Sequence, residues 1–160
     1  MYRIKKSFTL VEILGAVSIF MVGILSLSGL IAYQIYGAKT SANRLVAAYL
    51  AQEGIEVIRN IRDTNWLKNQ NWDANIGATT DYRLDYKSRK FPDTNYSSCN
   101  PLRFDGQFYN CSQGSKTIFS RKVSVSKGAD QMEIISTVYW KEKGIQHSFS
   151  VKEILFNWRP

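Results

Sequence analysis

The chain holds one histidine, two cysteines and three prolines in 160 residues, and these shortages exclude a good deal. Two thiols, Cys99 and Cys111, with a single distant imidazole, His147, do not make a zinc ligand set. There is no Gly-x-Ser-x-Gly, no His-Glu-x-x-His and no phosphate-cradling glycine loop. The expectation is therefore a protein that is not an enzyme and that carries no metal and no cofactor. The stretch Asp63–Asn75 is rich in Asp and Asn, but it lacks the alternating oxygen ligands and closing Glu of an EF-hand calcium loop. Charge is missing too: no charged residue occurs between Ile13 and Ala38. Proline is absent between Phe8 and Phe91, so nothing in that stretch forbids a long helix.

What is present begins at the amino terminus. As a helix at about 1.5 Å per residue, the uncharged run reaches roughly 39 Å, against about 30 Å for a bilayer core. Arg3, Lys5 and Lys6 precede it, so the positive-inside rule keeps this end in the cytoplasm. A secretory signal would have a shorter apolar region followed by an Ala-x-Ala-like exit. None occurs before Tyr33, and the small residue Ser7 comes before the run. Glu12, just inside the apolar segment, is the anomaly. A carboxylate at hydrocarbon depth costs about 2.5–3.5 kcal/mol on insertion scales and needs a partner.

Lys5-Lys6-Ser7-Phe8-Thr9-Leu10-Val11-Glu12-Ile13-Leu14 resembles the leader and cleavage site of type IV pilin-like proteins: pilins, minor pilins and type II secretion pseudopilins. The resemblance implies that residues 1–7 are a leader removed by a prepilin peptidase. It implies a cut between Ser7 and Phe8 and an N-methylated Phe8 as the mature terminus. Ser7 stands where the family normally has glycine. In a filament core the Phe8 amine of one subunit would pair with Glu12 of its neighbour, a device for register, since either charge alone would be strongly destabilising there. Gly15, Gly23 and Gly29 could admit close helix packing or are simply tolerated membrane-helix glycines. Gly29 stands where many pilins carry proline, and a helix that stretches on assembly would do so there.

Beyond Tyr36 the pattern becomes amphipathic. Leu45, Val46, Tyr49, Leu50, Val57, Ile58 and Ile61 recur every three or four residues as an apolar stripe. Glu56–Arg59 and Arg59–Asp63 are candidate ion pairs along it. Ala47–Glu56 also resembles the equivalent part of many pilin-like chains. The spacing predicts one helix over residues 8–62, its first half in the membrane and its second half on a globular domain, residues 63–160. The turn formers after Asp63 end it, with Trp66 and Trp72 covering the base of a sheet.

From Asp81 the sequence alternates with period two, the mark of half-buried strands. Strands are expected at Tyr82–Tyr86 and Leu102–Tyr109. Further strands follow from three sets of shared parity: Phe119, Val123 and Val125; Met132, Ile134, Val138 and Trp140; Ile145, His147, Phe149, Val151 and Leu155. Turns at Lys127–Asp130 and Glu142–Gly144 make the last three an antiparallel meander. The fold class is α+β, a long N-terminal helix on a small antiparallel sheet, as in the pilin fold. Cys99 and Cys111, across the membrane in oxidising surroundings, are expected to form a disulfide.

The net charge is +8, of which Arg3, Lys5 and Lys6 hold three, leaving +5 on a trimmed chain. Lys87, Arg89 and Lys90 form the tightest basic cluster. A solvated surface is the favoured reading of it and DNA the less favoured one. The resemblance implies a structural subunit of a helical filament. Its partners would be further copies, other pilins, the prepilin peptidase and the assembly platform. The chain would lie in the cytoplasmic membrane first, then in an extracellular or periplasmic filament. A secretion pseudopilin and a single-pass anchored binding protein that never polymerises are the alternatives.

Overall fold

The computed structural model describes residues 9–158 and has the α+β class. A 58-residue helix α1 (Leu10–Leu67) is followed by β1 (Thr79–Tyr82), β2 (Arg103–Phe104), β3 (Tyr109–Asn110), β4 (Ser115–Lys116), β5 (Ser120–Lys127), β6 (Gln131–Glu142) and β7 (Ile145–Phe156). The chain falls into two compact units that divide between Ala42 and Asn43.

In the first unit the described residues from Leu10 on are helix. Thr9 caps it: the Glu12 amide donates to Thr9 Oγ1 at 3.3 Å, and the Thr9 amide donates back to Glu12 Oε2 at 3.5 Å. That reciprocal pair is a capping box, which satisfies two amides that have no partner inside the helix. The large apolar side chains from Leu10 to Ile35 are exposed. Ser18, Ser26 and Ser28 turn their hydroxyls back onto the carbonyls of Leu14, Val22 and Ile24 at 2.8–2.9 Å. Each hydroxyl is thus satisfied without water. By length and composition this helix suffices to cross a membrane.

In the second unit α1 packs on the sheet through Ala47, Leu50, Ala51, Gly54, Ile55, Val57, Ile58, Ile61, Arg62 and Asn65. The buried stripe differs from the expected one: Leu45 and Tyr49 are 57% and 63% exposed. The reason is steric. Small residues at 47, 51 and 54 let the helix backbone approach the sheet, so the larger residues on the adjoining face turn outward. Gly54 shows how close the approach is, since a Cβ there would overlap Ser136 Oγ and lie 3.2 Å from Arg121 Cδ.

The helix does not stop at Arg62 but runs one turn further, to Leu67. Asn65 explains the extension. Its amide donates to the Trp72 carbonyl at 3.2 Å and to the Ala74 carbonyl, so it acts as a buried tie rather than a breaker. Termination falls to Asn69, at φ 53°. The Gln70 amide bonds to the Asn65 carbonyl at 2.9 Å and the Asn69 amide to the Trp66 carbonyl at 3.1 Å. This is a Schellman cap with asparagine in the left-handed position. Trp72 packs on the core, whereas Trp66 stacks edge-on against Trp158 at 4.9 Å.

The main sheet has the order β1-β5-β6-β7 and is antiparallel throughout. The meander has the expected turns. Lys143 (φ 46°) and Gly144 (φ 85°) form the two-residue connection of β6 to β7, with Glu142 opposite Ile145. Two other strands differ from expectation. The strand near residue 82 spans Thr79–Tyr82, and the chain leaves the sheet at Arg83 because Asp85 is drawn inward by amides of Lys87 and Cys111, at 2.9 and 2.7 Å. Leu102–Tyr109 is not one strand but a tight hairpin, β2 and β3, folded at Asp105–Gly106. There Asp105 Oδ1 accepts the amides of Gln107 and Phe108 at 2.9 and 2.8 Å.

Two apolar clusters fill the interface of helix and sheet. Ile55, Ile58, Ile61, Leu84, Val123, Met132 and Ile134 belong to one, and Ala47, Leu50, Leu102, Phe119, Val138 and Trp140 to the other. On β7 only Leu155 of the expected apolar set is fully buried, because β7 is an edge strand. Arg59 pairs with Glu56 as expected, but its second partner is Glu153 on β7. Its hydrogen bond with Glu153 is the main cause holding the guanidinium above the ordinary arginine value. Asp63 pairs with Arg62 instead, at 2.8 Å.

Candidate functional site

Of the residues singled out at the amino terminus, Ser7 and Phe8 lie outside the described residues. Glu12 is exposed on the first turn of α1 and is engaged by its own capping box. The sequence pattern Thr9-x-x-Glu12 is the signal for that role, and it was legible without the structure. Gly15, Gly23 and Gly29 each have open space where a side chain would begin: beyond the adjoining helix backbone, no atom of the described residues lies within 4 Å. Among the described residues, the apolar side chains from Leu10 to Ile35 are therefore left uncovered.

Cys99 and Cys111 are joined, with Cα atoms 5.0 Å apart. The bridge ties the loop before β2 to the residue after β3, and Cys99 is buried beside Leu102 and Val138. His147 stacks on Trp140 with ring centroids 5.4 Å apart, and its Nε2 is buried with no hydrogen-bond partner among the described residues. No group of three or more metal-ligating side chains occurs among the described residues.

The basic cluster does not converge. Lys87, Arg89 and Lys90 are all exposed, but each faces a different place. Lys87 Nζ sits 5.3 Å over the Tyr86 ring, Arg89 lines a hollow with Asn60 and Lys68 near the end of α1, and Lys90 lines another with Asp73 and Lys127. Three neighbouring cations in sequence thus make no single cationic stripe.

The residues that sequence reasoning missed are those that fasten α1 to the sheet. Arg121 on β5 is 1% exposed. Its Nη1 donates to Glu53 Oε2 at 2.6 Å and to the Leu50 carbonyl at 2.9 Å, and its Nη2 donates to the Leu84 carbonyl at 2.9 Å. One signal was available: Arg121 shares the inward parity of Phe119, Val123 and Val125. A cation on an apolar parity asks for a buried partner.

Comparison of the chain with family models, with curated proteins and with solved structures finds no match.

Proposed function

We propose that the chain is a structural subunit of a type IV pilus-like filament, a pilin or minor pilin. It would be inserted in the cytoplasmic membrane with its amino terminus inside, trimmed between Ser7 and Phe8, and assembled through α1. The observation that carries this reading is the uncovered apolar surface of α1 from Leu10 to Ile35, which needs lipid or neighbouring helices. The leader-like sequence before it and the open space at Gly15, Gly23 and Gly29 support helix-to-helix packing. A secretion pseudopilin shares every one of these features, so the proposal covers the class and not its machine.

A second reading is a single-pass anchored surface protein, and the capping box favours it. Glu12 has a use inside its own chain and does not require a neighbour's amine to explain it. Glutamine at the same position keeps a capping box but removes the charge. A filament subunit should therefore lose assembly with both Glu12→Gln and Glu12→Ala, while an anchored monomer should insert normally with either. DNA binding finds no support beyond the excess of positive charge.

The deciding experiment is mass spectrometry of the amino-terminal peptide in filaments sheared from cells. A peptide starting at N-methylated Phe8 in that fraction is the expected result. An intact Met1 leader found only in membranes would replace the filament reading with the anchored one.

A further inference from the structure

The face of the main sheet turned away from α1 carries a hollow of about 370 Å³ lined by Arg83, Asn100, Ser120, Lys122, Tyr139 and Gln146. Its volume falls within the roughly 300–1,000 Å³ of ligand pockets. Register builds it: Ser120 on β5 lies opposite Tyr139 on β6, and Gln146 enters from the start of β7.

Arg83, Lys122, Ser120 and Asn100 are each held by a neighbour and still have capacity to spare. Arg83 is half-buried and donates from Nη1 to the Arg121 carbonyl at 3.1 Å, but it has no carboxylate partner among the described residues. Lys122 Nζ is 3.0 Å from Asp81 Oδ2 and 5.8 Å from the centre of the Tyr139 ring. Ser120 Oγ donates to Asn100 Oδ1 at 2.5 Å, which leaves the Asn100 amide donors to face a ligand. The hollow thus combines one guanidinium without a counter-ion, one cation already offset, two amides, a hydroxyl and a phenol.

That combination suits a small anion surrounded by hydroxyl groups. A guanidinium fork matches a carboxylate in bidentate fashion, and amides and hydroxyls exchange hydrogen bonds with a polyol in both directions. A nucleic-acid strand would instead ask for a row of cations along its backbone. Here only one cation is uncompensated, and Lys87, Arg89 and Lys90 do not line the hollow. We propose that this hollow binds a uronic acid unit of an acidic polysaccharide. Arg83 takes the carboxylate, and Asn100, Ser120, Tyr139 and Gln146 take the ring hydroxyls. The site does not depend on the filament reading, since an anchored monomer carries the same surface.

The test is calorimetric titration of the full chain in detergent micelles with oligogalacturonate, beside the same oligomer as its methyl ester. The acid form should bind, more weakly as salt rises. Esterification or Arg83→Gln should each weaken binding by about tenfold or more, the worth of one charge-assisted contact. Gln146→Ala, at an exposed position, serves as the second variant should Arg83→Gln unfold the domain, and it too should weaken binding. No binding by the acid form, equal binding of the ester, or affinity unmoved by Gln146→Ala would each overturn the proposal. So would capture of duplex DNA by a chain that ignores oligogalacturonate.

Discussion

Arg121 on β5 reaches Glu53 on α1 at 2.6 Å while also donating to the carbonyls of Leu50 and Leu84, so one buried cation joins the helix, the sheet and the loop after β1. Removing its carboxylate leaves the guanidinium in the interior with only neutral acceptors. A fully buried pair broken in this way costs about 3–5 kcal/mol, but the Glu53 side chain is 31% exposed and water softens the loss. Glu53→Ala should destabilise the domain by about 1–3 kcal/mol, read as a lower denaturant midpoint in detergent. An unchanged midpoint would mean that the two carbonyls suffice.

Gly54 and Gly29 should respond differently to alanine. At Gly54 the new methyl overlaps Ser136, and overpacking of this kind costs about 1–3 kcal/mol. At Gly29 there is open space, and alanine favours a helix by about 1 kcal/mol. Thermal unfolding of the domain should fall for Gly54→Ala and hold for Gly29→Ala. In a filament subunit Gly29→Ala should show its effect only in assembly.

The Cys99–Cys111 bridge closes a short loop around β2 and β3. Its loss should cost on the order of 3 kcal/mol in the chain-entropy account. The double variant Cys99→Ala with Cys111→Ala should lower the denaturant midpoint accordingly, and a reductant should lower it for the parent chain alone. An equal response of both chains to reductant would show that the bridge is not the source.

Asp105 sets the pH response of the β2–β3 turn. The amides of Phe108 and then Gln107 hold its carboxyl below the ordinary value of 3.8. The folded value is the lower of the two, so the contribution is whole above 3.8 and is lost as pH falls through the folded value. Protection of the Phe108 amide, taken against its intrinsic exchange rate at each pH, should fall on acidification through that window. Asp105→Asn should abolish the dependence, because an amide does not titrate there.

Much of this architecture was legible in the chain because it rests on local rules. Absence of charge from Ile13 to Ala38 and absence of proline up to Phe91 implied a long helix that could enter a membrane. Alternation over residues 119–155 implied the meander, and its two turns fell at Lys127–Asp130 and Glu142–Gly144, the second with Gly144 at a positive φ. These features depend on neighbours within a few residues, and the sequence lists those neighbours directly.

The tertiary structure alone decided which face of α1 is buried and where the helix ends. Apolar spacing pointed to Leu45 and Tyr49, but contact with the sheet required the small side of the helix, at Ala47, Ala51 and Gly54. Asn65 reads as a helix breaker until Trp72 and Ala74 supply carbonyls for it. Arg121 shares the inward parity of its strand, but its partners, Glu53 and the carbonyls of Leu50 and Leu84, are named only by the fold. The hollow at Arg83 is assembled in the same way, from residues spread between positions 83 and 146. In each case the partner lies on another element or past a turn. The energy of a buried polar group depends on what the fold sets beside it, not on its own place in the chain.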